Sequence, residues 1–556
     1  MAYDHRKYAA YKPVQLKNRQ WPDRVITKTP DWCAVDLRDG NQALVKPMNS
    51  DQKTRLFKLL VDMGYKEIEV GFPSASQPDF DFTRKIIEEG MVPDGVTVQI
   101  LCQCREDLIK RSFEALKGAK KANVHIYNST STVQRERVFG LDREAIKAIA
   151  VQGAKWVKEY AAQAPETQWE FQYSPESFTG TELEYAVEVV NAVIDVWQPE
   201  KGQKVVINLP ATVEMSTPNI YADMIEWMCA HIKHRDKVRV SLHTHNDRGC
   251  GVAAAELGVM AGADRIEGTL MGNGERTGNM CLVTMGMNLY SQGIDPKIDF
   301  SDMRRIMDTV EYCTEIKTHP RHAYAGELVY TAFSGSHQDA IRKSLSKQQD
   351  NEPWQVAYLP IDPRDLGRRY EEVVRINSQS GKGGVLYVLE RDFGITLPRW
   401  LQIEFSRVVQ HEAERTGGEV EGSAIRMLFD TSYVTEPNGW RIGNYDIKRE
   451  GGRVHLQANV DGVNFVGEGN GAVEALMEAM KRMHGVSGVI EAFDEYALGS
   501  GTEANAMACI KLRVGDEVTV GVALAEDTTT ATLQAVLSAM GRQPAVRRNG
   551  THAKAV

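Results

Sequence analysis

Eight short apolar runs alternate with amphipathic helical stretches between residues 33 and 272, which predicts an α/β chain opening with a (β/α)8 TIM barrel. Polar residues able to do chemistry follow the ends of these runs, where a barrel places its active site. The last part, 426–556, turns to β-alternation and weakly repeats itself. That predicts a C-terminal α+β domain with an internal duplication, joined to the barrel through small linker subdomains.

The elements follow in order. A polar arm occupies residues 1–30. The strand candidates are 33–38, 67–72, 96–104, 121–128, 169–174, 205–211, 238–245 and 265–272. Between them lie helix candidates at 51–63, 78–89, 106–117, 142–162, 181–197, 217–234 and 250–262. Asp142, Thr181 and Thr217 stand where N-caps belong, and Pro218 suits a first helical turn. Eight such units over about 260 residues match the length of a closed barrel. A doubly wound sheet rarely needs so many even units.

In a strand, side chains at i and i+2 share a face, so His243 and His245 can aim two imidazoles at one point. Alone, the pair fits two hydrogen-bonded polar groups or a divalent metal site. The other strand ends favour the metal. The first run ends in Arg38-Asp39, the fourth carries His125, and the fifth ends in Ser174-Pro175-Glu176. The sixth leads to Thr212, and the eighth enters Gly272-Asn273-Gly274-Glu275-Arg276-Thr277-Gly278-Asn279. Asp39 is the natural third ligand, because one carboxylate and two imidazoles leave positions open for a bidentate substrate. Mg, Mn and Zn all suit that set. Arg38 either stabilises an oxyanion at the mouth or makes a salt bridge at its rim.

The totals narrow the class. A chain of 556 residues exceeds one compact core, so two to four domains are expected. Its net charge of -9 argues against a nucleic-acid binder. No stretch approaches the ~20 apolar residues of a membrane span, and the N-terminus lacks the apolar centre of a secretory signal. The eight cysteines are scattered without a paired spacing, and Cys102 and Cys104 read as core thiols. A reduced, cytoplasmic protein is expected.

After the barrel, 319–337 mixes histidine, glycine and aromatic residues and leads into a helix near His337. Residues 351–370 read as a connection, 378–384 as a glycine-rich turn without phosphate-loop spacing, and 397–415 as a helix. Strand-like 453–466 and 507–524 each precede a helix, one through Leu476 and Met480, the other through Val536 and Met540. Gly467, Gly469 and Gly471 form an incomplete dinucleotide pattern, since Ala472 follows, so nucleotide binding is rejected. A dimerisation module or a small-ligand sensor is left.

Asp36-Leu37-Arg38-Asp39-Gly40-Asn41-Gln42, His243-Thr244-His245-Asn246-Asp247 and the glycine-rich run 272–279 together resemble a family of metal-dependent acyltransferase and lyase barrels. These are the barrels related to 3-hydroxy-3-methylglutaryl-CoA lyase. Within them the chain is similar to the 2-isopropylmalate synthases of the longer bacterial type, through Phe333-Ser334-Gly335-Ser336-His337-Gln338-Asp339 and the duplicated terminal module. The resemblance implies an arm at 1–30, a catalytic barrel at 31–325, linker subdomains at 326–425 and a leucine-binding, dimerising domain at 426–556. It implies a divalent metal held by Asp39, His243, His245 and Asn279. The implied reaction is a Claisen condensation of acetyl-CoA with 2-ketoisovalerate, inhibited by leucine, in a homodimer. Arg38, Glu176, His337 and Tyr370 would then be catalytic, with His125, Ser174 and Thr212 lining the keto-acid pocket. His337 lies outside the barrel, so it acts only if the linker folds over a barrel mouth, plausibly a partner's.

Rival readings stay open. Citramalate or homocitrate synthesis keeps the family and changes the keto acid. A carbon–carbon lyase has little need of so long a chain after its barrel. A metal-dependent hydrolase would carry its His-x-His pair after the first strand, and a leucine-binding regulator would not need Asp39, His243 and His245 intact.

Overall fold

The computed structural model describes residues 4–199, 205–332, 334–368, 382–417, 419–434, 440–498 and 505–542. The chain divides into two compact units, one of Met1–Val329 with Ile361–Arg368, the other of Tyr330–Pro360 with Arg369–Val556.

In the first unit eight parallel strands close a barrel in sequence order. They are β1 (Asp31–Ala34), β2 (Glu67–Glu69), β3 (Thr97–Gln103), β4 (Lys121–Ser129), β5 (Gln168–Glu176), β6 (Val205–Ala211), β7 (Val238–Thr244) and β8 (Arg265–Gly268). Pairing of Asp31 with Arg265 and of Ala34 with Gly268 completes the ring. The intervening helices are α1 (Ser50–Met63), α2 (Gln77–Glu88), α3 (Glu106–Leu116), α4 (Arg143–Ala162), α5 (Leu183–Trp197), α6 (Pro218–His231), α7 (Gly251–Met260) and α8 (Leu282–Tyr290), with α9 (Met303–Thr314) beyond. Local chemistry sets their ends. Asn49 and Gln52 make a reciprocal capping box at α1, which stops at Gly64 with φ 105°. Asp142 caps α4 by accepting from the Ala145 N–H. Thr217 is the N-cap residue of α6 and Pro218 its first residue.

Some elements depart from the pattern. The first strand stops at Ala34, and Asp36–Gly40 forms a wide helical turn. There the N–H groups of Arg38, Asp39 and Gly40 all converge on the Val35 carbonyl. This turn, rather than strand alternation, lets the neighbours Arg38 and Asp39 reach the same mouth. The last strand ends at Gly268, because the chain turns through Leu270–Gly272. Thr181 does not cap α5, whose N-cap is Glu182; its hydroxyl bonds Thr130 at 2.8 Å and the Ser177 carbonyl at 3.0 Å instead. The polar arm is docked on α6. Arg19 grips Asp223 with two bonds of 2.6 Å, and the buried Trp21 indole donates to the same carboxylate at 2.8 Å.

The second unit begins with α10 (Gly335–Leu345), α11 (Lys382–Phe393), α12 (Arg399–Thr416) and α13 (Gly422–Phe429). The described part of the glycine-rich run, 382–384, opens α11 rather than making a turn; 378–381 lie outside the described residues. Two three-stranded antiparallel sheets follow. The first holds β9 (Ile442–Glu450), β10 (Arg453–Val460) and β11 (Val463–Gly469), followed by α14 (Ala472–His484). The second holds β12 (Val489–Leu498), β13 (Asn505–Val514) and β14 (Glu517–Ala525), followed by α15 (Thr528–Gly541). The repeat is thus three strands and a helix, and the opening strand of each copy was not predicted. Each helix lies close on a strand glycine: a Cβ on Gly467 would fall 1.8 Å from the Ala475 carbonyl oxygen, and one on Gly521 2.2 Å from that of Ala535. Among the described residues, no helix is long and apolar enough to cross a membrane.

Candidate metal centre

The site stands at the carboxyl ends of the barrel strands. The turn after β1 brings Asp39, and the end of β7 brings His243 and His245. Asp39 Oδ2 lies 3.3 Å from His243 Nε2 and 3.7 Å from His245 Nε2, and the two Nε2 atoms are 3.2 Å apart. Ligand atoms about 2.1 Å from one divalent ion stand roughly 3.0–3.4 Å from each other, so this triangle fits a cation. A backbone bridge links Asn279 to His245, and the buried Asn279 Oδ1 has no hydrogen-bond partner among the described residues. A buried amide oxygen without a donor is costly unless something else satisfies it. The triangle's donor set, one carboxylate and two imidazoles, suits Mg, Mn or Zn.

Around the triangle runs a buried ionic network. His243 Nδ1 donates to Glu267 Oε2 at 2.9 Å, which leaves Nε2 as the ligand atom. Glu267 also accepts from Arg265 Nη1 and Gln172 Nε2, each at 2.7 Å. Arg38 donates to Asp39 at 2.5 Å and to Glu69, and Glu69 accepts from His125 Nδ1 at 2.8 Å. His125 Nε2 meets Ser174 Oγ at 2.7 Å, and Asn208 donates to that hydroxyl at 3.0 Å. Arg38 is thus buried inside the network rather than on the rim. Its Nη2 makes no hydrogen bond among the described residues.

The charges respond to burial and to each other. Burial opposes ionisation of Asp39, but the Arg38 guanidinium and the His243 ring hold its carboxyl well below the usual range. Burial alone would lower His243, yet Asp39 and Glu267 push it up to about 9. His245 falls to about 4, through burial and then the neighbouring His243.

Asp39, His243, His245, Arg38, His125, Ser174, Glu176 and Thr212 line one cavity of about 250 Å³. Phe72, Leu101, Tyr127 and Pro210 form its apolar wall. Glu176 accepts from the Ser129 hydroxyl, and Thr212 Oγ1 accepts from the Ser177 N–H at 2.9 Å. His337 belongs to the second unit; it is exposed near the start of α10, with its ring stacked on Tyr358 at 3.9 Å. Tyr370 lies outside the described residues.

Residues 29–310 match the HMGL-like family, 327–390 the alpha-isopropylmalate synthase post-catalytic domain-like family, and 419–543 the LeuA allosteric (dimerisation) domain. The chain is 59% identical over 547 residues to the 2-isopropylmalate synthase of Alcanivorax borkumensis, covering 98% of both chains. The chain belongs to the 2-isopropylmalate synthase family. The family member from Pseudomonas putida strain W619 is 54% identical, over 97% of both chains. The hydroxymethylglutaryl-CoA lyase structure from Pseudomonas aeruginosa aligns at 18% identity with a TM-score of 0.44, over 54% of this chain and 97% of that one.

Within this synthase-family barrel, the residues that the sequence reading missed are Glu69 and Glu267, both almost wholly buried. A signal existed. Each is an acidic residue inside a short strand of a barrel, where a charge is buried only with partners.

Proposed function

We propose that the chain condenses acetyl-CoA with 2-ketoisovalerate to give 2-isopropylmalate and CoA, the first committed step of leucine biosynthesis, as a cytoplasmic homodimer inhibited by leucine. One observation carries the reading: the Asp39, His243 and His245 triangle opens onto a cavity of about 250 Å³ in a chain 59% identical to a 2-isopropylmalate synthase. Leucine is assigned to the C-terminal sheets because they match the LeuA allosteric domain.

Asp39, His243, His245 and Asn279 would hold the divalent cation, which when bound supplies Lewis-acid polarisation of the keto carbonyl. Glu267 fixes the His243 ring through Nδ1. Thr212 already accepts the Ser177 N–H, so its own hydroxyl proton is left to donate to the keto-acid carboxylate. His125 and Ser174, bonded to each other, line the polar side of the pocket. Arg38 keeps Nη2 for the oxygen that gains charge as the carbonyl is attacked. Proton transfer is assigned to Glu176, which lines the cavity, with His337 and Tyr370 added only as the family resemblance implies. A base takes a proton from the acetyl methyl, that carbon bonds to the keto carbon, and the resulting alkoxide takes up a proton. Water then cleaves the thioester, and CoA leaves as the thiol.

The test is CoA-thiol release from acetyl-CoA with 2-ketoisovalerate, pyruvate or 2-ketoglutarate, with and without leucine. Preference for 2-ketoisovalerate, suppressed by leucine, is expected. Preference for pyruvate or 2-ketoglutarate would move the chain to citramalate or homocitrate synthesis, and no release with any acid would overturn the condensation.

A further inference from the structure

Three loops at the barrel mouth carry residues of the proposed chemistry: Thr212 after β6, His245 after β7 and Asn279 after β8. One ion pair ties them together. Arg276 donates through Nε to Asp247 Oδ1 at 2.6 Å. Through Nη2 it reaches Asp247 Oδ2 at 3.1 Å and the Thr212 carbonyl oxygen at 2.5 Å. Asp247 Oδ2 accepts in turn from the Glu214 N–H at 2.9 Å. Both ends of the short segment from Thr212 to Glu214 therefore hang on the same pair. Glu214 returns the link, its Oε2 accepting from the N–H groups of Arg248 at 2.5 Å and Cys250 at 3.4 Å.

Fold stability does not account for this arrangement. The Arg276 and Asp247 side chains are 40% and 18% exposed, and an ion pair so open to water adds little to stability. Arg276 also holds φ at 56°, a left-handed conformation disfavoured for a residue with a side chain. Such local cost persists where geometry serves function. Arg276 itself lines the cavity beside Thr212.

We infer that Arg276 and Asp247 form a positioning latch for the keto acid, fixing the Thr212 backbone, and with it the hydroxyl, against His243 and His245. This rests on the condensation reading above. Neither residue is placed on the reacting atoms; both act through Thr212, and the effect falls on keto-acid binding.

Arg276→Gln, Arg276→Lys, Asp247→Ala and the double variant Arg276→Gln/Asp247→Ala test this in the full-length, metal-loaded protein, with each substrate varied at saturating levels of the other. Arg276→Gln is expected to raise the KM for 2-ketoisovalerate about tenfold or more, while the KM for acetyl-CoA moves less than about twofold. Arg276→Lys, whose single ammonium cannot hold Asp247 and the Thr212 carbonyl as the planar fork does, should fall between. The double variant should be no worse than the single ones, because one latch is lost in each. Equal rises in both KM values, a fall in kcat with KM unchanged, or additive effects would overturn the latch. If Arg276→Gln fails to fold, Arg276→Lys and Asp247→Ala carry the same KM comparison. A wild-type protein that turns over no keto acid brings down the condensation reading itself. Normal wild-type turnover with variants of equal KM brings down the latch alone.

Discussion

The barrel and the C-terminal sheets both lay strands against helices, but what they bury differs. Near the barrel mouth the buried strand positions hold Glu69, His125, Gln172, Ser174, Asn208, His243 and Glu267. In the C-terminal core they hold Leu456, Ala458, Ala508, Ile510 and Leu512, packed with Ala475, Ala479, Ala535 and Ala539 of the two helices. Burying ionic groups costs solvation that only a complete set of partners offsets, so the barrel interior is fixed by directional bonds. The terminal sheets are fixed by volume and close approach. Removing a charge should therefore damage the first region, and adding a methyl should damage the second.

Glu267→Gln should have the largest effect. The change keeps the shape but leaves the wholly buried Arg265 with one carboxylate partner, Glu67, and loosens the support of His243. Breaking such a buried pair costs on the order of 3–5 kcal/mol. Loss of the carboxylate behind a metal-binding histidine weakens metal affinity about 10–100-fold. Denaturant unfolding and direct metal titration read both. An unchanged midpoint together with unchanged metal affinity would remove the distinction between the two regions.

Gly521→Ala should come next. Its methyl would lie 2.2 Å from the Ala535 carbonyl oxygen and 2.3 Å from the Ala539 nitrogen, so backbone must shift. Overpacking of this kind costs about 1–3 kcal/mol. The expected outcome is an earlier thermal transition of the C-terminal region and weaker leucine inhibition, with turnover in the absence of leucine largely kept. A fully stable variant with normal inhibition would show that the close helix contact is not needed.

The third effect is a change in slope, spread across a pH range rather than read at a single pH. Burial pushes the Asp36 carboxyl up from 3.8 to about 7, against the pull of the Leu270 N–H it accepts. A folded-state value above the unfolded one means that the native protein binds the proton more tightly. This contribution is complete below about pH 4 and is lost as pH rises through about 7. Asp36→Asn should flatten the stability profile between those values, measured as urea midpoints. An unaltered profile would mean that Asp36 is already ionised throughout.

Much of this was legible in the sequence because periodicity reports strands and helices directly. The strand-end positions alone draw Asp39, His125, Ser174, Thr212, His243 and His245 into one neighbourhood. Asn279 came only through the family resemblance, since an asparagine in a glycine-rich loop carries no spacing signal. Glu69 and Glu267 were hidden for another reason: an acidic residue in a strand of three or four reads alike whether it points inward or to the rim. The opening strands of the terminal repeats were missed because β9 is exposed along most of its length and β12 alternates only between exposed and half-buried positions, so neither has a fully buried face. The bonds of Arg276 link three loops far apart in sequence, which no local pattern encodes.

Ring closure has a consequence for how the chain is made. Asp31 finds its partner in Arg265, and Trp21 finds Asp223, so the first strand and the arm before it depend on segments translated much later. Folding that waits on distant partners is slow, and an unpaired strand edge invites association with other chains meanwhile. Until the eighth strand leaves the ribosome, one edge of β1 has nothing to pair with. The stage of synthesis most exposed to aggregation, and most in need of a chaperone, therefore ends only when residue 268 emerges.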